Sequence, residues 1–146
     1  MPQKMTEDQI REFLAFGTRT AKVATVARDG RPHVTPVWFG LDGEELVFTT
    51  GRETLKGRHL RREPRIALCV DDDQPPFAFV SVRGRARLIE EADDLLDWAT
   101  RIAERYVGPD QAEAYGRRNA VPTELLVRVT PERIVGEADV AGWDPR

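Results

Sequence analysis

Two Asp-Gly pairs, Asp29-Gly30 and Asp42-Gly43, restrict this chain more tightly than any other feature of it. They separate three runs that read as strands: RTAKVATVA at 19–27, RPHVTPVWFGL at 31–41 and EELVFTT at 44–50. Glycine adopts the positive φ of a tight hairpin turn without steric cost, so Asp-Gly between such runs is a strong hairpin signal. Strands joined by turns this short must lie antiparallel, because a parallel crossover needs about a dozen residues. The first third of the chain is therefore a β-meander, and the flanking segments have to complete its sheet.

Upstream, Thr6 and Gln9 form a Thr-x-x-Gln capping box, and Ile10, Phe13 and Leu14 recur at helical spacing. They predict a short helix within residues 1–17. Downstream, TLKGRHLRREPR at 54–65 reads as a short basic helix stopped at Pro64. Ile66, Leu68 and Val70 share one face of the next strand, and DDDQPP at 71–76 is a turn. In FAFVSVRGRARLI at 77–89, Val80, Val82, Gly84, Ala86 and Leu88 alternate with Ser81, Arg83, Arg85 and Arg87, the period of a half-buried strand. A helix over 91–107 carries Leu95, Trp98, Ala99, Ile102 and Tyr106 on one stripe and ends at Gly108-Pro109. A short second helix within DQAEAYGRR, a last strand at 124–138 and a tail over 137–146 that includes Trp143 complete the reading. The expected fold is mainly β (α+β), a barrel of about six mostly antiparallel strands with flanking helices, in a single domain over 1–146. A barrel is favoured because closure removes exposed sheet edges.

Composition narrows the function classes. A net charge of −3 and a pI near 5.5 argue against a nucleic-acid partner, since phosphate-backbone binders carry a basic footprint. MPQKMTEDQI has no apolar core of a signal peptide, and no run of about eighteen apolar residues follows, so no membrane partner and a cytoplasmic location are expected. Cys69 is the sole cysteine and sits mid-strand, as does the sole serine, Ser81, so neither reads as a nucleophile. The three aspartates at 71–73 lack the spacing of a calcium loop and read as a solvated turn. No catalytic side chain and no metal site stand out, and no Walker loop or GxGxxG is present. Chemistry on this chain would be carried by a cofactor.

The basic run is the place to hold one. Lys56 is one of only three lysines against nineteen arginines. A strand ending in Thr49 and Thr50, followed by a basic helix, offers hydroxyls, first-turn N–H groups and cationic side chains to an anion. Lys56 and Arg58 lie about 200° apart on a regular helix, so they converge only near its start, where Gly57 loosens the backbone. Arg58, Arg61 and Arg62 share a face that Arg65 continues. A phosphate site at the helix start and a solvated face throughout are both open readings. In HVTPVWFGLDG, Pro36 marks an edge, a bulge or the approach of something other than a neighbouring strand. Trp38 and Phe39 point to opposite faces, so one enters the core and the other is exposed, as a wall for a planar ring or as a dimer anchor.

The runs DGRPHVTPVWFGLDGEELVFTT, LKGRHLRREPRIALCV and FVSVRGRARL together resemble the flavin- and deazaflavin-binding split β-barrel family related to pyridoxamine 5′-phosphate oxidase. More narrowly, they are similar to its deazaflavin (coenzyme F-420)-dependent reductases. The resemblance implies a homodimer with two cofactor sites at the subunit interface, and a coenzyme F-420-dependent oxidoreductase passing a hydride to a conjugated small-molecule substrate. Thr35, Pro36, Val37 and Trp38 would lie along the ring and its chain, with Thr49 and Thr50 beside the chain. Lys56 and Arg58 would hold the anion or the ring's acidic edge, and the partner subunit's Phe79 and Ser81 would approach from across the interface. Other readings remain: an FMN-dependent oxidase or reductase of the same fold, or a carrier of deazaflavin, flavin or haem. The haem carrier needs His33 or His59 as an axial ligand, where each otherwise reads as a polar surface residue. A ligand-free structural dimer is the remaining reading.

Overall fold

The computed structural model describes residues 2–142, so Trp143 lies outside the described residues. Twelve elements follow in order: β1 (Gln3–Lys4), α1 (Glu7–Ala15), β2 (Ala21–Val26), β3 (Pro32–Val37), β4 (Gly40–Asp42), β5 (Glu45–Gly51), α2 (Leu55–Arg62), β6 (Arg65–Asp72), β7 (Ala78–Ile89), α3 (Ala92–Val107), α4 (Pro109–Asn119) and β8 (Glu124–Ala138). Thr6 caps α1 through the expected box with Gln9. Residues 137 and 138, the end of the expected last strand, pair with Lys4 and Gln3.

One sheet contains all eight strands, in the order β3-β2-β6-β7-β8-β5-β4, with β1 added on β8 and every pairing antiparallel. The count exceeds the expected six because β1 adds a short pairing and the run 31–41 breaks into β3 and β4. That break defines the architecture. β3 and β4 are the two edges of the sheet, yet only Trp38 and Phe39 separate them in sequence. Two residues let Val37 and Gly40 stand at most about 11 Å apart. The sheet must curl until its edges nearly meet, and it does so without pairing them. The barrel is split, as the family resemblance implies, and not closed as the removal of exposed edges alone would favour. Pro32 and Pro36 recur on β3 and leave its free edge poor in N–H donors, so it cannot zip onto β4.

The hairpins form where the glycines stand. Gly30 at φ 89° closes a turn in which its N–H donates to the Ala27 carbonyl at 2.9 Å. Asp42 pairs with Glu45, so the second loop is Gly43-Glu44, with Gly43 first at φ 60°.

Alternation sorts side chains to two sides of the curled sheet. Inside lie Val23, Phe48, Leu68, Val80, Val82, Val127 and Val129, closed off by Leu14 of α1, Leu60 of α2 and Phe39. A second cluster sits outside, where Leu95, Trp98 and Ile102 of α3 cover Val47 and Leu126. β5 and β8 are thus buried on both faces, as their unbroken Leu46-Val47-Phe48 and Leu125-Leu126-Val127 runs require. Burying each such side chain stabilises the fold by about 1.5–3 kcal/mol.

Candidate functional site

The split is held open by α3. The Tyr106 hydroxyl accepts from the Phe39 N–H at 3.2 Å and donates to the Arg19 carbonyl at 2.8 Å. Arg105 Nη1 donates to the Phe39 carbonyl at 3.0 Å, and its Nη2 to the Leu14 carbonyl at 2.7 Å. No strand pairs with Phe39, and these two side chains satisfy both of its backbone groups. Phe39 itself is the aromatic that enters the core, at 0% exposure. Trp38 is half-buried and not free: it stacks on Tyr106 with centroids 5.0 Å apart and planes 3° apart, and leans on Tyr115 at 6.2 Å. The expectation of an exposed aromatic is corrected, because α3 and α4 supply rings that the local strand pattern does not reveal.

At the far end of β5, Thr54 organises the start of α2. Its Oγ1 accepts from the Gly57 N–H at 3.1 Å and donates to the Gly51 carbonyl at 2.8 Å. With that proton committed, Thr50 is the donor in the 3.1 Å contact between the two hydroxyls. Thr50 has no proton left for a ligand, whereas Thr49 makes no side-chain hydrogen bond among the described residues. Gly57 does not loosen the helix as expected. A Cβ there would stand 2.2 Å from the Gly51 carbonyl oxygen, so glycine is what lets α2 press against β5 and seat Lys56.

Between these two features lies a cavity of about 310 Å³, near the lower end for a small-molecule site. Pro36, Val37, Trp38, Thr49, Thr50 and Lys56 line it. Four others named in the sequence lie outside that lining. Thr35 adjoins on β3 with its Oγ1 buried and without a hydrogen-bond partner among the described residues. Arg58 points to the other side of α2, 3.6 Å from Glu53, in a separate cleft with Arg28, Arg61 and Arg62. Ser81, paired with Cys69 and Val135, and Phe79, paired with Asp71 and Glu137, sit on the outward side of β7. The sequence reading missed Asn119 at the end of α4 and Glu124 at the start of β8, which complete the polar lining with Ala99 and Ile102 of α3 opposite.

Lys56 and Glu124 set the electrostatics. Burial pushes the Lys56 ammonium below its ordinary pKa of 10.5, with Glu124 opposing, and pushes the Glu124 carboxyl above 4.5, with Lys56 opposing. Among the described residues neither has an ion-pair partner within 4.0 Å. An ammonium, a free threonine hydroxyl and the first-turn N–H groups of α2 suit a phosphate, and the unpartnered Thr35 hydroxyl can serve a ligand along β3. The donor set therefore fits the phosphate end of a flavin or deazaflavin.

A wider cleft of about 820 Å³ lies over the outer ends of β2, β6 and β7, among Arg62, Arg65, Arg83 and Arg133. Arg65 there is already bound to Glu63 at 2.6 Å, which holds that carboxyl down to about 2. The smaller cavity is the better candidate, because a half-buried lysine and the unengaged Thr49 hydroxyl meet in it at the start of α2. His59, expected at the surface, is only 9% exposed and lies 2.9 Å from the Thr25 hydroxyl, edge-on to His33; neither histidine lines the Lys56 cavity. Two of the aspartates at 71–73 meet cations: Asp71 pairs with Lys22 at 2.8 Å and Asp72 with Arg19 at 3.2 Å. Cys69 is half-buried with its thiol pushed up by burial, which disfavours the nucleophilic thiolate. Among the described residues no helix is long and apolar enough to cross a membrane, and no cluster of three or more His, Cys, Asp or Glu could hold a metal.

Residues 6–136 match the family described as pyridoxamine 5′-phosphate oxidase. A pyridoxine/pyridoxamine 5′-phosphate oxidase of Myxococcus xanthus (strain DK1622) is 34% identical over 87 residues, 59% of this chain, but the match spans only 42% of that enzyme's length. A biliverdin reductase of Mycobacterium tuberculosis (strain CDC 1551 / Oshkosh), dependent on reduced coenzyme F-420, is 29% identical over 82% of this chain and 80% of its own. Among solved structures, the conserved hypothetical protein Rv2991 of Mycobacterium tuberculosis superposes with a TM-score of 0.84 at 28% identity, over 97% of this chain and 90% of that one.

Proposed function

The chain belongs to the pyridoxamine 5′-phosphate oxidase family, and on that premise we propose that it is an oxidoreductase working with coenzyme F-420 on a conjugated small molecule. The carrying observation is the half-buried, unpaired Lys56 at the helix start, in a cavity walled by Trp38 and the end of β5. A reduced deazaflavin, when bound, supplies hydride chemistry, which asks the protein for position and dryness more than for an acid or base. Lys56 and the first turn of α2 would hold the phosphate, Thr49 would donate to the chain, and β3 with Trp38 would orient the ring. The extensive match to the F-420-dependent biliverdin reductase favours the deazaflavin.

The working unit in this reading is a homodimer. On the outward side of the sheet, Ala24, Val26, Val34, Ala67, Cys69, Ser81 and Val135 alternate with core residues and leave an apolar face, with Val34 63% exposed. Pro36 belongs both to this face and to the cavity lining. A second copy on that face would cover the cavity mouth and bring the partner subunit's Phe79 and Ser81 to it.

An FMN-dependent oxidase is the second reading, favoured by the likeness to the Myxococcus oxidase. Fluorescence titration of the purified protein with oxidised coenzyme F-420 and with FMN, at one salt concentration, separates the two. Preference for F-420 supports the proposal. Preference for FMN moves the protein to the oxidase reading, and binding of neither overturns both.

A further inference from the structure

Lys56 and Glu124 are the two ionisable side chains among the residues lining the cavity, and they carry opposite charge. Glu124 is delivered there by a fixed segment. It pairs with Gly51 at the end of β5, while Arg52 donates from Nε to the Pro122 carbonyl at 2.8 Å and from Nη1 to Glu90 at 2.6 Å. The Arg52 N–H also donates to the Thr123 carbonyl at 2.8 Å. An anion seated beside Lys56 therefore shares a small cavity with a carboxylate whose backbone is held in place on β8. Two like charges at such a site do not both stay ionised; one takes a proton.

We propose that Glu124 is a proton-linked specificity residue: seating an anionic group beside Lys56 draws one proton from solvent onto the Glu124 carboxylate, and the resulting O–H donates to the anion. This rests on the reading that the cavity takes the phosphate end of a cofactor. Burial already disfavours the Glu124 carboxylate, and Lys56 is the cation that opposes that effect in the free protein. Seating an anion on Lys56 withdraws that support. The groups facing the pair from the other elements are uncharged: Thr49 and Thr50 from β5, Trp38 from the link between β3 and β4, Ile102 from α3 and Asn119 from α4. Nearby charges are committed, Arg52 to Glu90 and Glu53 to Arg58. A ligand without an anion leaves Glu124 ionised and loses nothing to it, so Lys56 favours phosphate-bearing cofactors while Glu124 weakens their hold progressively as pH rises.

The test is calorimetric titration of the full chain with FMN and with riboflavin, at pH 7 to 8.5, in two buffers of different ionisation enthalpy. Working above pH 7 keeps clear of the ligand phosphate's own ionisation near pH 6. Where coenzyme F-420 binds more tightly it replaces FMN, and its phosphate-free deazaflavin replaces riboflavin. The phosphate ligand should take up close to one proton and bind about tenfold more weakly per pH unit, while the phosphate-free ligand shows neither effect. Glu124→Gln should abolish the uptake and bind the phosphate ligand at least about tenfold more tightly at pH 8. Glu124→Ala replaces it if the first variant fails to fold. Tight binding without proton uptake, or uptake that persists in Glu124→Gln, overturns this inference and leaves the cofactor reading standing. No binding of any of the ligands overturns both.

Discussion

The hydroxyl of Tyr106 is the hydrogen-bond partner of the Phe39 amide, at 3.2 Å, on the one stretch of barrel wall that no strand pairs. It hands its own proton to the Arg19 carbonyl at 2.8 Å, so one oxygen satisfies two backbone groups at the split. Tyr106→Phe keeps the ring stacked on Trp38 and deletes only that oxygen. Leaving two part-buried groups unpaired should cost about 1–3 kcal/mol, read as a lower denaturant midpoint at unchanged slope. An unaltered midpoint would mean that water or a neighbour takes the hydroxyl's place.

Gly57→Ala tests whether close packing seats the candidate lysine. The added methyl would meet the Gly51 and Arg52 carbonyl oxygens at 2.2 and 2.9 Å, and backbone atoms do not yield as side chains do. Although alanine favours helix, the overlap should dominate and destabilise by about 1–3 kcal/mol. Cofactor affinity should fall with it, because α2 must back away and take Lys56 along. A more stable variant would show that propensity wins.

The elements that were legible in the sequence owe their form to local signals: the Asp-Gly turns, the Thr6 box, the alternation of 77–89 and the stripe of α3 all act within a few residues. Missing was whatever depends on distant partners. Nothing near Trp38 announces that Tyr106 and Tyr115 will stack on it, and nothing near Glu124 announces the cavity. The break between β3 and β4 was hidden because Val37-Trp38-Phe39 continues the strand-forming pattern straight across it, although Pro36 marked the edge and Gly40 follows the break. One signal was overlooked: Thr54, three residues before Gly57, is an N-cap position, and it predicts where α2 begins and which hydroxyls its start consumes.

Lys56 and Arg58 make opposite predictions. Lys56→Met removes the half-buried ammonium from the cavity and should weaken binding of the phosphate-bearing cofactor by about 1–3 kcal/mol, the loss of one charge-assisted contact. Arg58 is 62% exposed at its side chain, beside Glu53 and facing the other cleft. Arg58→Ala should change affinity by no more than about threefold, as expected for an exposed pair. Fluorescence titration of both variants decides. A large loss at Arg58 would require the anion, or a second chain, to reach around α2.

His59 should make the fold acid-sensitive above the range where carboxylates titrate. Burial holds its imidazole below the ordinary 6.5, assisted by His33 edge-on and by Arg62, with Asp29 opposing. In the unfolded chain the ring protonates near 6.5, before the folded ring does. Between those two values the unfolded state binds more protons, so stability is complete above 6.5 and falls as pH drops through the window. The slope there can reach about 1.4 kcal/mol per pH unit. Urea midpoints for the parent and His59→Gln, taken from pH 7.5 down to 5, should converge as pH falls, since the variant lacks this loss. Parallel curves would mean that the ring protonates equally well in the fold, with solvent reaching the Thr25–His59 pair.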